Sequence, residues 1–285
     1  MGSHMSVNLV KAGYDVTVFD IRREAMKYPM QFGAKPGSSP SDIAQSSDII
    51  ITSLPSPAAL EEVVLGEQGV LEGVRRGGIL IDTSTVSPST IRKIAGVMKE
   101  KGVEVLEAPV SGGVEGAKAG TLTIIVGGAV DVFKRCFDVL QVIGKNTFHV
   151  GVLGLGNTVK LVNNLMSLVN VVTLSEGMVL GVKAGVDADT LYNVVKVSTG
   201  RSYAFEWKLP NKIFRRNFEP GFTIDLTCKD LGLVLSLAKE IGVPLFVTGI
   251  AQQVYELAKA KGLGKLDNTA VITLFEEAAQ VTVEL

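Results

Sequence analysis

A chain of 285 residues, 46% of them hydrophobic and with a mean hydropathy of +0.32, can build a large core, which excludes a disordered protein. At roughly 100–200 residues per domain, the length predicts two domains. Lys+Arg total 28 against Asp+Glu 29, a formal charge of -1, which removes the basic footprint of a nucleic-acid binder. No contiguous apolar run approaches the ~18 residues of a membrane span, so no membrane partner is expected. Cys136 and Cys228 are the only cysteines and fit a reduced compartment, which predicts a cytoplasmic protein. His4 and His149 add too few ligands for a Cys/His metal site, and no metal is expected. Acid–base chemistry must then come from Lys, Asp, Glu or Tyr.

Met1-Gly2-Ser3-His4-Met5 reads as the remnant of an expression tag, outside the fold. Residues 6–13 look like the end of a helix closed by Gly13, an opening that predicts a native segment upstream. From residue 15 to about 150, short β-branched runs alternate with amphipathic segments. Strands are predicted at 15–20, 48–53, 78–82, 103–106, 122–126 and 147–150. Helices are predicted at 88–101, with Ser87 as N-cap and Pro88 in the first turn, and at 130–143. Ile49-Ile50-Ile51 and Ile79-Leu80-Ile81 are apolar without alternation, so both faces of their strands must be covered. That pattern predicts a Rossmann-like, doubly wound parallel sheet. After residue 150 no strand follows. A glycine-rich hinge at 151–156 leads into a helix over about 157–184, apolar around most of its circumference. Helices at 188–197, 203–214, 224–241, 246–261 and 269–280 complete the chain. The expected organisation is an α/β dinucleotide-binding domain over 1–150 and an all-α domain over 151–285, joined by the long helix.

Asp20 ends its strand where an acid in a dinucleotide-binding unit meets the ribose hydroxyls and repels a 2′-phosphate. An ordinary polar strand end explains it equally well, and Arg22 and Arg23 are the kind of neighbours that accommodate NADP. The strand ends at 51–55 and 82–85 sit at the carboxyl edge, where open α/β sheets bind ligands. Their small hydroxyl residues are as readily helix caps. In Glu107-Ala108-Pro109-Val110-Ser111-Gly112-Gly113 a strand end is followed by a hydroxyl and two glycines, a loop suited to a carboxylate or simply to a tight turn. On the long helix, Lys160, Asn163, Asn164 and Ser167 fall within ~100° of arc. A desolvated lysine there loses its proton readily and suits a carbonyl/alcohol pair. Its first-turn position disfavours a cation, which argues against a merely snorkelling side chain. Lys229-Asp230 reads by default as a solvated ion pair, and Arg201 either binds a second anionic group or lies on the surface.

Three motifs in order then match one family over residues 6–283. The stretch D-A-P-V-S-G-G appears at 107–113 with Glu for Asp, G-x-G-x-x-x-K-x-x-N-N at 154–164, and K-D-L at 229–231. The chain resembles the β-hydroxyacid dehydrogenases of the 3-hydroxyisobutyrate dehydrogenase type, within the 6-phosphogluconate dehydrogenase-like group. Gly200-Arg201-Ser202-Tyr203 and Gly262-Leu263-Gly264 look most like its 2-(hydroxymethyl)glutarate and tartronate semialdehyde branches. The resemblance implies a homodimeric or homotetrameric oxidoreductase passing hydride between NAD, or NADP, and a small carboxylate-bearing 3-hydroxy acid. It implies Lys160 as general acid/base with Asn164 beside it, and Ser111, Gly112 and Gly113 on the substrate carboxylate. Leu54, Pro55, Thr85 and Lys229 would line the dinucleotide, and Asp20 would favour NAD. The family's first strand and G-x-G-x-x-G turn are not found ahead of residue 6. Two alternatives are a truncated, inactive dinucleotide-fold protein, or a reductase of another aldehyde acid such as succinic semialdehyde or glyoxylate.

Overall fold

The computed structural model describes residues 1–285 and divides into two compact units, Met1–Lys160 and Leu161–Leu285. The first unit holds every strand: β1 (Thr17–Val18), β2 (Lys35–Pro36), β3 (Ile49–Thr52), β4 (Ile79–Asp82), β5 (Glu104–Glu107), β6 (Val110–Ser111), β7 (Thr123–Gly127) and β8 (Asn146–Gly151). β3, β4 and β5 run parallel, and β7 pairs parallel with β8. Where β5 meets β7 at Glu107↔Gly127 the pairing is antiparallel, as it is between β6 and β7. The expected parallel sheet is therefore mixed along this seam. Between β6 and β7 the connection, residues 112–122, is shorter than the dozen or more residues of a parallel crossover, so that pair returns antiparallel. β1 and β2 form a separate parallel pair.

The unbroken apolar runs are explained by burial on both sides. Ile79 and Ile81 of β4 and Leu106 of β5 share a core with Val132, Cys136, Val139 and Leu140 of the helix Val130–Ile143. Leu80 and Val105 face the other way, into a second core with Leu60 and Val64 of the helix Pro57–Leu65 and Ile91, Ile94 and Met98 of the helix Pro88–Glu100. Ser87 caps that last helix as expected, accepting from Thr90 N at 3.0 Å. Residues 2–5, expected to lie outside the fold, form the first turn of the helix Gly2–Lys11. Met5 and Leu9, four residues apart on one face, are buried in the first of these cores.

The second unit is all helix, as expected. The long helix, Leu155–Lys183, supplies Leu168, Val171, Val172, Leu174, Met178 and Val179 to its core. By length and composition it could cross a membrane, with an 18-residue window of mean hydropathy 1.7, although no contiguous apolar run announces it. Asn157, Lys160, Asn164 and Ser175 interrupt the run, and all four are buried within the protein. The segment predicted as a helix at 203–214 is a π-helix, Ala204–Ile213, because Pro210 has no N–H to give an α-helical ladder. The helices Ile224–Ile241, Phe246–Ala258 and Ile272–Ala279 close the unit.

The boundary between units falls after Lys160 rather than at residue 150. The reason is local: residues 154–157 are hydrogen-bonded to Glu107 of β5, so the start of the long helix belongs to the α/β unit.

Candidate active site

The carboxyl ends of the strands carry the residues singled out for a dinucleotide. Asp20 lies two residues beyond β1 and uses Oδ1 to accept from Arg22 N at 2.8 Å, with Arg22 Nε 3.6 Å away. Leu54 and Pro55 follow β3, and Thr85 follows β4. Leu54 N donates to Ser84 Oγ at 2.8 Å, and Ser84 Oγ donates to Asp82 Oδ1 at 2.6 Å. Asp82 Oδ1 also accepts from Thr52 Oγ1 at 2.7 Å and from Ser84 N. One buried carboxylate thus ties the two loops together.

Asp82 has no exposed surface, and its Oδ2 has no hydrogen-bond partner. Burial pushes its carboxyl up to about 6, against the pull of the Ser84 and Thr52 hydrogen bonds, and the nearby Glu107 adds to the rise.

Glu107 is the strand partner of Asp82 in the β4–β5 register. Its carboxylate accepts from the backbone N–H of Gly154, from Gly156 N at 2.9 Å, from Asn157 N at 3.1 Å and from Asn157 Nδ2 at 2.6 Å. Asn157 Oδ1 in turn accepts from Val86 N at 3.0 Å. Lys160 follows on the same helical turn and is 7% exposed. Ser111 ends β6, and Gly112 and Gly113 follow with φ of 129° and 66°, conformations that glycine adopts without strain. Both glycines are exposed, leaving their backbone open to a ligand.

In the helical unit, the expected polar stripe divides. Asn164 is buried, Ser167 is half-buried and Asn163 is exposed. Asn164 Nδ2 donates to Asp230 Oδ2 at 2.6 Å, and Lys229 Nζ lies 2.6 Å from Asp230 Oδ1. Lys229 and Asp230 are therefore not a solvated pair, since Asp230 is 1% exposed. Arg201 is not brought to this group. It is exposed, 3.9 Å from Glu206, and lines a hollow of about 400 Å³ with Asn170, Thr173, Ser202 and Phe205.

Sequence reasoning missed the roles of Asp82, Glu107 and Asp230. For Asp230 a signal existed, because it shares the buried face of its helix with Thr227 and Val234 at helical spacing. For Asp82 it was the polar pair Thr52 and Asp82 closing two otherwise apolar strands in matched register.

Residues 1–151 match the family model for the NAD binding domain of 6-phosphogluconate dehydrogenase. Residues 154–275 match that for the NAD-binding of NADP-dependent 3-hydroxyisobutyrate dehydrogenase. The chain is similar to a 2-(hydroxymethyl)glutarate dehydrogenase of Eubacterium barkeri, 44% identical over 99% of this chain and 94% of that protein. It is 39% identical to a probable mitochondrial 3-hydroxyisobutyrate dehydrogenase of Dictyostelium discoideum, over 95% of this chain and 86% of that one. Among solved structures, the 3-hydroxyisobutyrate dehydrogenase of Mycobacterium tuberculosis with L-serine superposes with a TM-score of 0.89. It is 31% identical, with 96% of this chain and 95% of that one covered.

Asp82 predicts a pH dependence of stability. A carboxyl raised in the folded state stabilises fully below the ordinary aspartate value, and that contribution is lost as pH rises through about 6. Urea unfolding at pH 4.5 and 7.5 should therefore show an Asp82-dependent loss of about 2–3 kcal/mol at the higher pH. Asp82→Asn should lack that loss. An identical pH dependence in the two proteins would rule the assignment out.

Proposed function

The chain belongs to the β-hydroxyacid dehydrogenase family, and on that premise we propose that Lys160 is its general acid/base. The enzyme is an NAD(P)-dependent hydroxyacid dehydrogenase moving hydride between a small hydroxy acid and its semialdehyde. The helix begins at Leu155, so Lys160 lies in its second turn rather than the expected first, and the observation that supports it is a lysine side chain buried to 7% exposure just beyond the turn whose N–H groups Glu107 holds. In oxidation Lys160 Nζ takes the hydroxyl proton, and in reduction it returns it. Asn164 orients the substrate oxygen, and its own amide is steadied by Asp230. The hydroxyl of Ser111 and the backbone of Gly112 and Gly113 hold the substrate carboxylate. In this reading the α/β unit forms the dinucleotide-binding part and the helical unit the substrate and dimerisation part.

The carboxyl edge fits a dinucleotide by the chemistry of its donors and acceptors. Asp20 offers a carboxylate at the end of β1 to ribose hydroxyls, and the loops of Leu54, Pro55 and Thr85 are fixed by Asp82. When bound, the nicotinamide supplies the hydride acceptor. Asp20 favours NAD over NADP, because a 2′-phosphate would face its negative charge. The hydroxy acid is of the hydroxyisobutyrate or (hydroxymethyl)glutarate class. Exposed Phe246, Val247 and Ile250 on the helical unit suit a homo-oligomer, and two buried free thiols suit the cytoplasm.

Lys160→Ala should lower kcat by at least ~10² while NADH still binds, and Lys160→Arg should rescue little because guanidinium keeps its proton. Near-normal turnover in Lys160→Ala would end this reading and move attention to Lys229. Asp20→Ser should reduce the kcat/KM ratio of NAD over NADP by about tenfold, the value of one charge-assisted hydrogen bond. An unchanged ratio, measured with both cofactors, would remove Asp20 from cofactor choice.

A further inference from the structure

We propose that Glu107 is a positioning residue for proton transfer: its carboxylate fixes the first turn of the long helix and, through that turn, Lys160. The proposal rests on the reading of Lys160 as the acid/base. Glu107 is fully buried at the end of β5, and both of its oxygens accept hydrogen bonds from residues 154–157. The opening N–H groups of a helix have no intrahelical partners and are ordinarily left to water or a short cap. Here a carboxylate from a sheet strand takes three of them together with a side-chain amide. It also meets the positive end of the helix dipole. Lys160 is three residues beyond Asn157, so it turns and shifts with these anchored atoms.

The seat of Glu107 is shaped for it. A Cβ on Gly127 would come 2.3 Å from Glu107 Oε1, and a Cβ on Gly156 would come 3.0 Å from its Cγ and 2.8 Å from the backbone oxygen of Ile125. The glycine of the Gly156-x-x-x-Lys160 spacing thus has a steric reason that involves no ligand. Two further ties hold the same turn: Arg92 Nε donates to Leu153 O at 3.2 Å, and Val86 N donates to Asn157 Oδ1. Glu107 itself has no surface from which to touch a substrate.

Glu107→Gln keeps the shape but turns one acceptor into a donor that faces other donors. A displacement of about 1 Å at a reacting group costs up to ~10²-fold, so kcat should fall roughly 10- to 100-fold. KM for NADH should stay within about twofold, because uniform cofactor binding is untouched. The solvent deuterium isotope effect on kcat should rise as proton transfer becomes limiting, and amide exchange at residues 154–157 should accelerate. Loss of folded enzyme alone would scale the rate and leave the isotope effect as it was. If Glu107→Gln is not recovered folded, Asn157→Ala deletes the Nδ2 contact and the tie to Val86, and should move the same readings by less. Wild-type kcat and isotope effect in the folded variant would overturn the proposal, even with faster exchange at 154–157. Turnover retained in Lys160→Ala would overturn the lysine reading instead, and the exchange measurement separates the two failures.

Discussion

The carboxylate of Glu107, held by the donors of residues 154–157, is the interaction on which the arrangement of the α/β unit turns. A buried charge is costly unless each lone pair finds a donor. The start of the long helix supplies those donors, and in return the strand end satisfies N–H groups that would otherwise be orphaned. Neither partner is stable in its place without the other. This exchange draws the helix start into the same compact unit as the sheet.

Next to it, Asp82 faces the same physical problem and meets it differently. It accepts three hydrogen bonds on one oxygen, and burial raises its pKa to about 6. Of these two neighbouring carboxyls on adjacent strands, one is surrounded by donors on both oxygens and the other carries a raised proton affinity. The loops that follow β3 and β4 inherit their positions from this division.

Much of the fold was legible because it depends on periodicity. The uninterrupted Ile and Leu runs of β3 and β4 announced burial on both faces, and residues such as Leu80 and Ile81 do enter opposite cores. Lys160 and Asn164 were legible as polar residues on a greasy helix. The antiparallel seam at Glu107↔Gly127 was not, since strand direction leaves no mark on residue composition. The π-helix at Ala204–Ile213 escaped because its side-chain pattern over a few turns resembles that of an α-helix. The burial of Met5 was hidden by a stretch whose letters suggest a cloning remnant. Asp230 and Glu107 were hidden for a shared reason: a charged residue reads as solvent-facing until its distant partner is known. Their partners, Asn164 and residues 154–157, lie 66 and about 50 positions away in sequence.

β1 and β2 make a two-stranded pair of two residues each, joined to the larger sheet by no ladder hydrogen bonds. Cooperative opening follows hydrogen-bond connectivity, so a small, separately paired ribbon can unzip without disturbing the rest. Asp20 is carried at the end of that ribbon. A ligand that held Asp20 would, by its affinity for the closed form alone, stabilise that ribbon. Temperature or denaturant would open such a ribbon before unfolding the sheet behind it.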